Sequence, residues 1–87
     1  MDRISREQVE DKAKLFARLM GKQYGTEPGN YWLDYIACYG GFNLVEITER
    51  TGERNPFGSR RRTAREMWYT LEFACEAVRL QQEKEGN

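Results

Sequence analysis

The chain has 87 residues and a mass of 10.3 kDa, with 14 Lys and Arg against 14 Asp and Glu, no histidine, and 13% aromatic residues. A chain of this size hides only about 60–65% of the surface its unfolded form exposes, which leaves room for one core and excludes a second domain. Zero net charge argues against a sequence-independent nucleic-acid binder, and the missing histidine removes the commonest general base and metal ligand. No apolar run approaches the roughly 18–20 residues of a membrane helix, and the first 25 residues are charged rather than signal-like, so a single cytoplasmic domain over residues 1–87 is expected.

The first element opens at Ser5-Arg6-Glu7-Gln8, which has the form of a capping box: a serine oxygen and a glutamine side chain three residues on satisfy orphan amides at a helix start. The spacing predicts a helix over about residues 6–23. At about 100° per residue, Val9, Ala13, Phe16, Ala17, Met20 and Tyr24 share one face, with Leu15 and Leu19 on its shoulder. Gly21 and Gly25 offer left-handed positions at which to stop, and Thr26 to Asn30 has loop composition.

Two β-rich runs flank Gly40-Gly41, predicting an antiparallel hairpin over about residues 31–50 with a two-residue turn. Pairing Tyr39 with Phe42 puts Trp32, Asp34, Ile36 and Cys38 on one face with Asn43, Val45, Ile47 and Glu49. Tyr31, Leu33, Tyr35, Ala37 and Tyr39 then share the other face with Phe42, Leu44, Glu46, Thr48 and Arg50. The aliphatic face is the better core candidate, which would leave the tyrosines outside. Residues 51–62 read as a loop in which Thr51 to Arg54 turn and Asn55-Pro56-Phe57-Gly58 form at most a short edge strand.

A second capping box, Thr63-Ala64-Arg65-Glu66, begins a helix over about residues 64–84. Ala64, Met67, Leu71, Ala74, Cys75 and Val78 form one stripe, and Tyr69, Phe73 and Leu80 lie nearly opposite. A helix apolar on two sides needs two coverings, so the second stripe meets either the first helix or another chain. The assembled expectation is an α+β domain: helix, hairpin with a short third edge strand, helix, with the helices on one face of the sheet.

Three groups are candidates for function. The tyrosine-rich hairpin face (Tyr31, Tyr35, Tyr39, Phe42) and the second helix stripe (Tyr69, Phe73, Leu80) have the large, stiff, amphipathic side chains of recognition surfaces, which points to a protein partner and to a homodimer. Arg60, Arg61 and Arg62, with Arg65, precede or enter a helix N-terminus that favours anions, so phosphate of a nucleotide or nucleic acid is the alternative ligand. The plainer alternative is a turn whose arginines pair with Glu66 or Glu53. Cys38 and Cys75 stand in apolar contexts 37 positions apart, without zinc-site spacing, and read as buried free thiols. Asp34, an acid within an apolar strand, reads as a satisfied structural residue. Carboxylates are numerous, but no pair has a spacing and context that singles it out for acid-base work, and there is no metal or cofactor motif, so no catalytic residue, metal or cofactor is assigned and a non-enzyme is expected.

Tyr39-Gly40-Gly41-Phe42-Asn43-Leu44, Pro56-Phe57-Gly58 and Arg62-Thr63-Ala64-Arg65-Glu66-Met67 together resemble small proteins carried by bacteriophages and mobile elements, over about residues 31–80. The resemblance implies a cytoplasmic accessory protein of under a hundred residues, an inhibitor or adaptor aimed at a host protein. It transfers no catalytic residue.

Overall fold

The capping box at Ser5 is formed as its spacing requires: Gln8 N–H donates to Ser5 Oγ at 3.2 Å and Ser5 N–H to Gln8 Oε1 at 2.7 Å. Helix α1 follows over Arg6–Leu19. It ends about four residues before the expected stop, because Gly21 takes the left-handed conformation at φ +76. Gly21 N–H then reaches Arg18 C=O at 3.0 Å and Lys22 N–H reaches Ala17 C=O at 2.9 Å, the paired bonds of a Schellman closure. The computed structural model describes residues 3–36, 41–48, 52–58 and 60–85.

Strands β1 (Tyr31–Ile36) and β2 (Gly41–Ile47) form the antiparallel hairpin, and β3 (Glu53–Arg54) adds to the far edge of β2, giving the order β1-β2-β3. The register pairs Tyr35 with Phe42 and Ile36 with Gly41, four residues away from a pairing of Tyr39 with Phe42. Tyr39, Cys38 and Gly40 lie outside the described residues. A shift of four is even, so every described residue keeps its expected face. Gly41 is a strand residue rather than half of a two-residue turn. It is glycine because its φ is +114 and a Cβ would run into the carbonyl oxygen of Arg62.

Arg62 returns to the edge of β2 beyond β3, exchanging two backbone bonds with Phe42 at 2.7 and 2.8 Å. Between β3 and Arg62 the chain leaves the sheet. The edge strand expected at Asn55 to Gly58 is instead a turn, closed by Gly58 N–H on Asn55 C=O at 2.9 Å, with Pro56 second and a positive-φ Gly58 fourth. The open edge of β1 is partly covered as well: Tyr31 exchanges backbone bonds with Gln23 and Gly25, and Leu33 N–H donates to the Tyr24 hydroxyl at 3.2 Å.

Helix α2 spans Ala64–Glu85, and both helices pack on the same face of the sheet, an α+β fold. That face is the tyrosine-rich one, not the aliphatic one. Tyr31 and Phe42 are 4% and 3% exposed, and with Leu33 and Leu44 they meet Val9, Ala13, Phe16 and Ala17 of α1 and Met67, Leu71 and Cys75 of α2. Phe16 sits edge-on to Tyr31 at 5.4 Å and 5.5 Å from Phe57. The reversal has an electrostatic cause. Asp34 and Asn43 are register partners at the middle of the Trp32/Val45/Ile47 face, and helices laid there would bury an ionised carboxylate. Tyrosines are less demanding, because only the phenolic tip needs a partner.

Candidate functional site

The arginine-rich segment is built into the fold. Arg61 donates to Asp34 Oδ2 at 2.6 Å, to Gly41 C=O at 3.0 Å and to Asp34 C=O at 3.4 Å, tying the returning segment to both hairpin strands. Asp34 is thus a satisfied structural residue. Arg62 donates to Phe57 C=O at 3.0 Å and Arg60 C=O at 3.3 Å, and Arg60 pairs with Glu66 at 2.9 Å. Arg65 lies 5.9 Å above the Tyr69 ring.

At the start of α2, Glu66 N–H donates to Thr63 Oγ1 at 3.1 Å and Thr63 N–H donates to Glu66 Oε1 at 2.9 Å. The Thr63 N–H holds the Glu66 carboxyl below the ordinary carboxylate range, with smaller contributions from Arg60 and Arg62. The positive end of the α2 macrodipole therefore already faces a carboxylate of its own chain.

The hairpin aromatics are dispersed by the packing. Tyr31 and Phe42 are core, and burial, with Glu46 adding, pushes the Tyr31 hydroxyl above its ordinary value. Tyr35 is at the rim of the same face, its ring tilted on Phe42 at 4.5 Å and covered by the Arg6 guanidinium at 4.8 Å. The opposite face of the sheet carries Trp32, stacked on Tyr24 at 5.1 Å, and Asn43, which donates to Asn55 Oδ1 at 2.8 Å. Cys75 is a buried free thiol whose pKa burial raises.

The second stripe of α2 is different, because neither the sheet nor α1 covers it. Tyr69, Phe73 and Leu80 are 44%, 72% and 58% exposed, in line on the side of the helix away from Met67, Leu71 and Cys75. Helix α1 packs instead on the other flank of α2, where Lys12 pairs with Glu72 at 3.1 Å and lies over Trp68 at 4.7 Å.

One surface feature lies beyond the sequence reading. Where the two helix C-termini meet, Leu19, the exposed Met20, Ala77, Val78, Gln81 and Gln82 line an open groove of about 400 Å³, and Gln82 Nε2 donates to Leu19 C=O at 2.8 Å. Met20, on the stripe that the periodicity predicts to be buried, is 42% exposed because the early end of α1 leaves it as the cap. Among the described residues no three Cys, Asp or Glu side chains come together to hold a metal ion, and no helix is long and apolar enough to cross a membrane. No protein-family model matches the chain, and neither a curated protein nor a solved structure is similar to it.

Proposed function

We propose that the protein is a small non-catalytic interaction protein of the cytoplasm, docking a partner protein through the outer face of α2. The observation that supports this reading is the line Tyr69, Phe73 and Leu80: three large apolar side chains exposed together on a rigid helix, in a chain with few large apolar residues to spare. A role as an inhibitor or adaptor, which the resemblance to bacteriophage and mobile-element proteins implies, needs such a surface and no catalytic group. Tyr31 and Phe42 drop out of the docking surface because they are core, and Tyr35 contributes at most from the rim of another face.

Binding of a nucleotide or nucleic acid through Arg60, Arg61, Arg62 and Arg65 is the weaker reading, since Arg61 and Arg62 hold backbone carbonyls and Arg60 holds Glu66. Replacing Phe73 by a photo-crosslinking phenylalanine analogue tests the proposal, with the same analogue at exposed Arg18 on α1 as control. A discrete adduct is expected from position 73 and not from 18. Equal labelling at both positions, or no adduct at 73, would refute the docking surface.

A further inference from the structure

The flanks of the exposed α2 stripe carry charges whose order inverts when the helix is turned end for end. At about 100° per residue, Tyr69, Leu80 and Phe73 fall within an arc of about 40°. Arg65 and Glu83 share one flank, about 40° before Tyr69, and Glu66 and Lys84 share the other, about 60° after it. On each flank a charge near the N-terminus is answered by its opposite 18 residues later, about five turns along the same line. All four side chains are exposed.

We infer that the partner on this stripe is a second copy of the chain, α2 against α2, antiparallel about a two-fold axis near residue 75; the inference rests on the reading of the stripe as a docking face. In an antiparallel two-fold pair each flank meets the same flank of the other copy in reverse order. Arg65, which lies over Tyr69 in its own chain, then faces Glu83, and Glu66, which keeps its 2.9 Å bond to Arg60, faces Lys84, each twice, while Tyr69 meets Leu80 and Phe73 meets Ala77 and Glu76 in the centre. Glu76 enters this layer with its charge already answered by Arg79 at 3.7 Å. The opposed macrodipoles add to the attraction. A parallel pair would instead set two positive helix ends and two Arg60–Arg62 segments side by side. Among possible occupants, a copy of the chain is the one whose charge order is complementary to that of the stripe's flanks.

Sedimentation equilibrium on the purified full chain, from about 10 μM to 1 mM, is the experiment. The expected mass rises from 10.3 kDa to twice that value with concentration. Phe73→Glu and Leu80→Glu, each at a site exposed in the monomer, are expected to weaken association about 30-fold or more while leaving the far-UV circular dichroism unchanged. Arg65→Glu and Glu83→Arg are each expected to weaken it about 3- to 10-fold, and the two together to restore it, because the double reversal rebuilds both pairs. A chain that stays monomeric to 1 mM, a dimer indifferent to Phe73→Glu and Leu80→Glu, or a double reversal that fails to restore association overturns the inference. A monomer whose position 73 crosslinks a different protein leaves the docking reading standing and removes only the second copy. A monomer with no adduct at 73 removes both.

Discussion

Gly41→Ala puts the observed hairpin register to a quantitative test. Gly41 sits at φ +114, a region nearly reserved for glycine, and placing a side chain there costs about 1–3 kcal/mol. A Cβ would also run into the carbonyl oxygen of Arg62, which accepts the 2.7 Å bond from Phe42 N–H. The clash is with backbone, so no rotamer relieves it. The returning segment must retreat from β2, weakening one or both Phe42–Arg62 bonds, each worth about 1 kcal/mol net. The expected loss is about 2–5 kcal/mol, against a total stability of about 4–13 kcal/mol for a chain of this length.

Gly29→Ala is the matched control. Gly29 also has positive φ, at +91, but nothing lies within 4 Å of where its Cβ would stand. Alanine there carries backbone strain alone, about 1–2 kcal/mol. Thermal and urea unfolding of the two variants followed by circular dichroism should therefore differ by about 2 kcal/mol, which for a domain of this size places the Gly41→Ala midpoint about 8–16 °C below that of Gly29→Ala. Had Gly41 been half of a two-residue turn open to solvent, both substitutions would carry strain only. Midpoints that coincide within about 2 °C would refute the close approach of Arg62 to β2.

The Glu66 carboxyl, held below its ordinary range by the Thr63 N–H, stabilises the fold fully above the unfolded carboxylate value of about 4.3 and loses that contribution as pH falls through its lower folded value. Unfolding between pH 5 and about pH 2 should therefore show a steeper loss of stability for the parent than for Glu66→Gln, which keeps a capping side chain without a titrating group; equal slopes would rule this out. Cys75, fully buried with its thiol raised by burial, should react with a thiol reagent at least about 100-fold more slowly in the native protein than in denaturant, measured in a Cys38→Ser background; equal rates would show that its packing on the inner stripe of α2 is wrong.

What the sequence made legible was local. Both capping boxes were readable because Ser5–Gln8 and Thr63–Glu66 are three residues apart and need nothing from the rest of the chain. The two faces of the hairpin were readable from alternation, and they survive a four-residue error in register because four is even. What stayed hidden depended on distant partners. Gly40-Gly41 looks like a turn, and the reason Gly41 must be glycine is Arg62, 21 positions later. Arg61 looks like an anion ligand until Asp34, 27 positions earlier, is placed beside it. The helices cover the face opposite to the one that hydropathy favours, and the sequence carries the reason, since Asp34 and Asn43 fall on one face in either register and make it a poor core.

Helix α2 keeps stability and recognition on separate sides of one element. Met67, Leu71 and Cys75 are fully buried, so trimming any of them opens a cavity beneath the sheet and costs about 2–5 kcal/mol for a large side chain. Phe73 and Leu80 point away from all of this, and their replacement by polar groups leaves the inner contacts untouched. In 87 residues there is one sheet face fit to receive helices, because Asp34, Asn43 and Arg61 occupy the other. Neither the sheet nor α1 thus packs on the line of Tyr69, Phe73 and Leu80, and the charges that flank it are ordered to suit its own reverse.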